Sequence, residues 1–165
     1  MREERDLMAR ILVVYDSKTG HTEKMALAVA KGAKQIKGVE VEVKRVTKTN
    51  IKDLVEADGI ILGSPTYYGL VSARLKTLID KSVKVHGKLE GKVGAAFTNS
   101  GGTASGAETT LLSIVQAMLV HGMIVQGRAN NKHYGAATVG APKKDDLRSC
   151  MDLGKRTASL VKRLK

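Results

Sequence analysis

The chain has 165 residues, with 28 Lys or Arg against 16 Asp or Glu, which gives a formal charge of +12 at neutral pH. Hydrophobic residues make up 42% and charged residues 27%, a balance that predicts one folded domain and excludes a disordered chain. The single cysteine, Cys150, excludes an internal disulfide framework, a four-thiolate zinc site and an iron–sulfur cluster held by this chain alone. The longest apolar runs are about six residues, whereas a bilayer span needs about twenty, so we expect no membrane insertion.

The distribution of charge bears on partners and compartment. Lys and Arg are spread from Arg2 to Lys165 without a long basic block, and no aromatic residues interleave with them as a base-stacking surface requires. Nucleic acid is therefore not the expected partner. The first ten residues mix both charge signs and lack an apolar core, so we do not expect a secretory signal. Together with the single thiol, this predicts a cytoplasmic protein.

The first part of the chain predicts two strands separated by a helix. Arg10–Tyr15 is a compact apolar run that indicates a buried strand. Apolar residues from Met25 to Ile36 then recur at helical spacing, with lysines between them. Val39–Val46 alternates apolar and charged residues, as a strand near a sheet edge with one solvent-exposed face does. A short second helix is expected after it.

The rest of the chain continues the alternation of strands and helices. The predicted strands are Gly59–Leu62, Val93–Phe97 and one that opens at Met123–Val125. The predicted helices follow apolar stripes from Leu75 to Val83, from Leu111 to Leu119 and from about Lys143 to the end.

This alternation predicts an α/β fold: a doubly wound five-stranded parallel sheet with helices on both faces. The common strand order for such a sheet is 2-1-3-4-5. We expect residues 1–9 to be an N-terminal extension and residues 10–165 to form a single domain. Ligands of doubly wound sheets bind at the carboxyl ends of the strands, so the loops that follow the strands are the ones to inspect.

The loop after the first strand has the composition of a phosphate site. Hydroxyl residues Ser17, Thr19 and Thr22 surround Gly20 just before a predicted helix, where backbone N–H groups and the helix dipole favour an anion. The alternative is an ordinary helix cap made by Thr22. The chain contains neither GxxxxGK[ST] nor GxGxxG, so it is not a nucleoside-triphosphate loop and lacks the direct dinucleotide fingerprint.

Three further loops carry unusual residues. The loop Gly63–Gly69 places two adjacent tyrosines at a strand end, which suggests a flat ligand with a π face; the alternative is packing onto a neighbouring helix or subunit. Thr98–Gly106 has three glycines among small hydroxyl residues, which leaves backbone amides free to reach a ring edge; the alternative is a flexible linker. Asn131–Gly135 holds the remaining loop tyrosine. Strand order 2-1-3-4-5 brings the first three of these four loops side by side, and a phosphate linked to a planar ring describes flavin mononucleotide, FMN.

In these segments the chain resembles the flavodoxin-like superfamily, and within it the WrbA-type NAD(P)H:quinone oxidoreductases. The matching segments are ILVVYDSKTGHT at 11–22, GSPTYYG at 63–69, FTNSGG at 97–102 with Glu108, Thr109 and Thr110 beyond it, HGM at 121–123 and YGA at 134–136. The resemblance implies that FMN is held by Ser17, Lys18, Thr19, Gly20, His21 and Thr22 at the phosphate, by Pro65, Thr66, Tyr67, Tyr68 and Gly69 along the chain and ring, and by Asn99, Ser100, Gly101, Gly102, Thr103 and Ala104 at the polar ring edge. It makes Tyr134, His133 and His121 candidates for the substrate pocket, and no metal is expected.

The implied function is NAD(P)H-dependent reduction of quinones or similar acceptors, with hydride passing through flavin N5 and either NADH or NADPH as co-substrate. Such relatives form homodimers or homotetramers that build the substrate pocket between subunits. Two departures concern that pocket: this chain has no Trp, and Val120 precedes His121 where the relatives have two adjacent histidines. No essential side-chain nucleophile is expected.

Other functions remain open at this point. A flavodoxin-type electron carrier would dock redox proteins without binding a nicotinamide, but such carriers are usually acidic, and a charge of +12 counts against that class. A third possibility is a scaffold that keeps the fold without flavin. A phosphoreceiver domain of the same topology would need an acidic cluster after the first strand, where only Asp16 is present.

Overall fold

A computed structural model of the protein describes residues 8–165, so positions 1–7 of the expected N-terminal extension lie outside the described residues. Within residues 8–165 the chain forms six strands: β1 Ala9–Tyr15, β2 Val39–Arg45, β3 Gly59–Pro65, β4 Val93–Ser100, β5 Ile124–Val125 and β6 Ala136–Val139. The helices of this part of the chain are α1 His21–Ala33, α2 Ile51–Glu56, α3 Ala73–Lys81, α4 Ala107–Val120 and α5 Lys144–Leu164. Two short 3₁₀ turns, Val46–Lys48 and Ser82–Val85, follow β2 and α3.

The strands form one parallel sheet in the order β2-β1-β3-β4-β5, which confirms the predicted topology. The short second helix and the long final helix are also confirmed. No helix among residues 8–165 is both long and apolar enough to cross a membrane.

The edge of the sheet beside β4 departs from the prediction of five strands. Both β5 and β6 pair with β4: Val93 lies opposite Ile124, and Phe97 lies opposite Ala136. The fifth position is therefore a single edge strand interrupted by the excursion at 126–135. The sequence of β6, AATV, is short and has neither an alternating nor a fully apolar pattern, so it does not predict a strand.

Two central strands are longer than predicted. The β3–β4 ladder continues through Gly63↔Phe97, Ser64↔Thr98 and Pro65↔Asn99, although residues 63–65 and 98–99 were predicted to lie in loops. Small polar side chains occupy these positions, so no apolar pattern in the sequence indicates a strand there. Both strands are therefore longer at their carboxyl ends, and the loops that follow them begin later in the chain than predicted.

Alternation along β1 supplies both hydrophobic cores. Ile11 and Val13 face one side of the sheet, where α1 and α5 pack. Leu12 and Val14 face the other side, where α2, α3 and α4 pack. Each such side chain, when fully buried, stabilises the fold by about 1.5–3 kcal/mol. The two layers fix the sheet rigidly, so the loops at its carboxyl end start from well-defined positions.

Candidate functional site

The loops that follow β1, β3 and β4 meet at the carboxyl end of the sheet, as the strand order requires. The Asp16 amide donates to the Gly63 carbonyl at 3.0 Å, which ties the first loop to the end of β3. The Thr66 amide donates to the Asn99 carbonyl at 2.8 Å, which ties the second loop to the end of β4. Backbone bonds therefore place the predicted phosphate loop and both predicted ring loops side by side.

The first loop leaves the start of α1 open. Gly20 occupies the N-cap position with φ +90°, and no side chain among the described residues caps the helix. A Cβ built on Gly20 would have no described atom within 4 Å, so space lies in front of these amides in this part of the chain. Thr22 lies inside the helix and is buried, so its predicted alternative role as the cap is wrong. An uncapped helix N-terminus with open space before it is a ready site for an anion.

The residues of this loop are presented in different ways. The Gly20 amide donates to the Ser17 hydroxyl oxygen at 3.1 Å, and the hydrogen of that hydroxyl remains available to a ligand. Lys18 and Thr19 are exposed, and His21 is half-buried at the first helical position. The loop therefore combines backbone amides, hydroxyls and one lysine, the donor set that a phosphate monoester needs.

A network of three side chains that the sequence analysis did not identify, Arg45, Glu23 and Tyr15, supports the first loop. The Arg45 guanidinium donates to the Ser17 carbonyl at 2.8 Å and to the Glu23 carboxylate at 3.2 Å. The Tyr15 hydroxyl donates to the other Glu23 oxygen at 2.7 Å. Burial, together with the hydrogen bond to Glu23, raises the pKa of Tyr15, so this hydroxyl keeps its proton and remains a donor.

The second loop is a tight turn that presents two tyrosines to solvent. Tyr67 and Leu70 exchange two backbone hydrogen bonds of 3.0 Å across it. Tyr68 and Gly69, the central residues, both have positive φ, of 50° and 75°, which is the geometry of a type I′ turn. Tyr68 is fully exposed and Tyr67 is 43% exposed. Packing of Tyr68 onto a neighbouring helix of the same chain, one predicted alternative, is therefore wrong.

The third loop is locked against the second. A Cβ on Gly106 would lie 2.4 Å from the Gly69 Cα, so only a glycine permits this approach of the two backbones. The Thr109 hydroxyl lies 2.7 Å from the Gly69 carbonyl oxygen and 3.0 Å from that of Gly106. The alternative of a flexible linker is wrong at this end of the loop. Thr109 belongs to a segment that carries the family resemblance, and its part in joining the two loops is visible only in the structure.

Several residues predicted to bind the cofactor make hydrogen bonds within the protein or are buried in the sheet. The Thr66 hydroxyl lies 2.9 Å from that of Thr98, and the Asn99 amide nitrogen donates to the Thr138 hydroxyl and to the Gly140 carbonyl at 2.7 Å each. The Ser100 hydroxyl donates to the Gly102 carbonyl at 3.0 Å, and Pro65 is buried within β3. Among the described residues, the backbone amides of 101–104 have no acceptor within the protein, and this stretch is half-buried to exposed.

The three candidates for the substrate pocket lie in two different places. Tyr134 and His133 lie in the excursion that interrupts the edge strand, where the His133 Nδ1 atom lies 2.7 Å from the Arg128 carbonyl oxygen. His121 ends α4 at the opposite end of the sheet, since the carbonyl of the next residue, Gly122, accepts from the Gly91 amide just before β4 begins.

His121 has a structural setting of its own. Its Nε2 atom lies 2.7 Å from the Ser82 hydroxyl oxygen, and that hydroxyl donates its hydrogen to the Ile79 carbonyl. Nε2 must therefore carry the proton, and the buried Nδ1 atom has no hydrogen-bond partner in the described part of the chain. Burial, with a smaller contribution from His86 nearby, lowers the pKa of His121, so the ring is held neutral.

Charges near the first loop are partly balanced. The buried Asp16 carboxylate lies 3.4 Å from the Arg74 guanidinium, which is largely exposed on α3. No cluster of metal-ligating side chains occurs within residues 8–165. The donors at the mouth of the site are thus backbone amides, hydroxyls and cations, which fit a phosphorylated ligand.

Comparison with known proteins agrees with this geometry. The family described as NADPH-dependent FMN reductase matches residues 44–135, more than half of the chain. An NAD(P)H dehydrogenase (quinone) of Archaeoglobus fulgidus is 39% identical over 95% of this chain and 100% of its own length. A flavodoxin of Aquifex aeolicus is 38% identical over 93% of this chain and 88% of its own length.

A solved structure gives the same result for the fold. The flavodoxin, WrbA-like protein from Agrobacterium tumefaciens superposes with a TM-score of 0.81 at 28% identity, over 95% of this chain and 99% of that one. The resemblance drawn from the loop motifs is confirmed. This chain belongs to the NADPH-dependent FMN reductase family, within the flavodoxin-like superfamily.

Proposed function

We propose that the protein binds FMN at the carboxyl end of its sheet and uses NAD(P)H to reduce quinones or similar acceptors. The observation that carries the proposal is the uncapped N-terminus of α1, which opens beside two loops fixed to each other at Gly69 and Gly106. The first feature suits a phosphate, and the second supports a ring bordered by tyrosines and a glycine-rich backbone. The family and its relatives named NAD(P)H dehydrogenase (quinone) support the same function.

Each loop has a defined task in this proposal. The amides that open α1, with the hydroxyls of Ser17 and Thr19, hold the phosphate, and Lys18 adds a positive charge. The exposed tyrosines of the second loop border the ring, and the free amides of 101–104 donate to its polar edge. Because these donors are backbone groups held by two strands, the ring is oriented without a catalytic side chain.

When bound, FMN supplies the hydride chemistry. The residues of this chain bind and orient it, and the turn at Tyr68 leaves one side of the site open to solvent. The net charge of +12 attracts the anionic nicotinamide co-substrate and favours its encounter with the site.

An electron carrier is the alternative function, because relatives named flavodoxin also match. Oxidation of NADH or NADPH with a benzoquinone separates the two: the proposal expects turnover well above that of free FMN at the same concentration. Thr19→Glu, which sets a carboxylate at the phosphate loop, serves as the matched inactive control. Tight FMN binding with no nicotinamide oxidation above free FMN would establish the carrier instead.

Assembly and compartment complete the proposal. Val83, Leu119 and Val120 are each more than half exposed, near the end of the sheet opposite the three loops. We propose a homodimer or homotetramer that covers such apolar surface, and light scattering with the FMN-loaded protein tests it. The cytoplasm is the proposed compartment, since a single buried thiol suits a reducing environment.

A further inference from the structure

The carbonyl of Ser17 has a position that matters for any anion bound in the first loop. A phosphate is held by N–H groups that point towards it, and a carbonyl oxygen turned into the same space would repel it. In this structure the Ser17 carbonyl is held by the Arg45 guanidinium at 2.8 Å, at the end of β2. The contact joins residues 28 positions apart, so it is a tertiary constraint on the loop.

Arg45 is itself held on several sides. A second nitrogen of its guanidinium donates to Glu23 at 3.2 Å, and the guanidinium carbon lies 5.4 Å from the centre of the Tyr15 ring. The Tyr15 hydroxyl fixes the other oxygen of Glu23 at 2.7 Å. A planar guanidinium meets the carbonyl and the carboxylate at the same time, which the single ammonium of a lysine does not reproduce.

The charge of Glu23 makes the pairing with Arg45 necessary. Glu23 lies in the first turn of α1, where its carboxylate interacts favourably with the helix dipole and so competes with a bound anion. The Arg45 guanidinium offsets that charge while the fold keeps the carboxylate as an anchor. The same side chain thus directs the loop backbone and removes a local repulsion.

We infer that Arg45 is a positioning residue for the flavin phosphate: through Ser17 and Glu23 it sets the first loop so that the site prefers the phosphorylated flavin to the unphosphorylated one. The inference rests on the proposed FMN site and deepens it by assigning the source of its selectivity. Arg45 acts through the loop and need not contact the cofactor.

The experiment compares FMN with riboflavin, which shares the ring and lacks the phosphate. Dissociation constants for both are measured by flavin fluorescence quenching in the full-length wild type, in Arg45→Lys and in Lys48→Gln. Lys48 is an exposed residue three positions further on, and its substitution removes one positive charge without touching the network. Arg45→Lys keeps the charge and loses the forked geometry. It should weaken FMN binding about tenfold, the usual cost of a hydrogen bond to a charged group, while riboflavin binding changes less than twofold. Lys48→Gln should change neither by more than twofold.

Equal weakening of both flavins by Arg45→Lys would show a merely structural role and overturn the inference, as would unchanged FMN binding. Arg45→Gln is the second variant and should show the same selective loss. Amide hydrogen exchange at Gly20, whose amide donates to the Ser17 hydroxyl, gives an independent readout in the flavin-free protein and should speed up in Arg45→Lys. If the wild type bound no FMN, the proposed function would fail, and unchanged exchange at Gly20 in Arg45→Lys would separately overturn the positioning role.

Discussion

The two ends of the sheet differ in how their backbone polar groups are satisfied. At the amino end, side chains close the structure: the Lys92 ammonium donates to the carbonyls of Val55 and Ala57, and the Asp58 carboxylate accepts from the Arg10 amide and the Lys165 ammonium. At the carboxyl end, no side chain of residues 8–165 caps the first turn of α1, and the adjacent loops expose backbone and tyrosines.

This contrast indicates which parts of the fold contain features that lower its stability. Buried or uncapped polar groups and left-handed backbone reduce stability unless a ligand or a packing contact compensates for them. Of the three residues other than glycine with positive φ in the described chain, Tyr68 and Ala104 lie in loops at the carboxyl end, and Lys132 lies in the excursion at 126–135. Apart from the His121 Nδ1 atom, the polar groups named at the amino end are satisfied within residues 8–165, whereas the carboxyl end offers donors that suit a ligand.

The largest expected effect comes from separating the two locked loops. Gly106→Ala forces its Cβ against the Gly69 backbone at a φ of +96°, which should cost about 3 kcal/mol of stability and weaken FMN binding roughly a hundredfold. Thermal unfolding and FMN titration measure the two effects.

Gly91→Ala is the matched control at the other end of the sheet. Its φ is +76°, but a Cβ there meets nothing within 4 Å, so only about 1 kcal/mol of backbone strain is expected, with FMN affinity unchanged. Equal losses of FMN affinity in both variants would contradict the claim that only the carboxyl end of the sheet binds the ligand.

The next effect concerns charge at the phosphate loop. Thr19 is exposed beside the start of α1, and Thr19→Glu should repel the phosphate by about 2 kcal/mol, a roughly thirtyfold loss of FMN affinity. Riboflavin affinity should stay the same, and the uncharged Thr19→Gln, which loses only the hydroxyl contact, should weaken FMN binding by no more than about fivefold. If Thr19→Glu binds FMN normally in the same titration, the phosphate lies elsewhere.

A smaller effect tests whether the strained backbone at Tyr68 serves the binding of FMN. Tyr68→Gly relieves a positive φ and should raise the stability of the flavin-free protein by about 1 kcal/mol. It also removes a ring that borders the flavin, so FMN affinity should fall about fivefold. Urea unfolding and FMN titration should thus move in opposite directions. A loss of both stability and affinity would contradict the idea that this turn is strained for function.

The smallest effect belongs to the amino end. Because the pKa of His121 is lowered in the fold, the unfolded chain binds more protons than the folded one as the pH drops below about 6.5. The stabilising contribution of the neutral ring is complete above that pH and is lost as the pH falls. His121→Asn should flatten the dependence of the unfolding free energy on pH between 7.5 and 5. Identical slopes in both proteins would refute this setting of His121.

Much of the fold could be predicted from the sequence, because apolar runs such as Arg10–Tyr15 mark buried strands directly. The split edge strand could not, since AATV in β6 has neither the length nor the pattern of a strand. The positions of the three loops followed from strand order, but not the role of Arg45, which depends on a contact between distant residues. His121 was expected near the site from a local motif, and only the tertiary structure shows it at the other end of the sheet.

The central claim is that the ligand is held at the carboxyl end by the three loops together. Backbone amide chemical shifts of the isotope-labelled protein, followed during titration with FMN, test it most directly. The account predicts that the amides of 18–22, 66–69 and 101–104 shift in a single saturable event. Shifts concentrated in the region of Ser82–Lys92, with these three loops unperturbed, would contradict it.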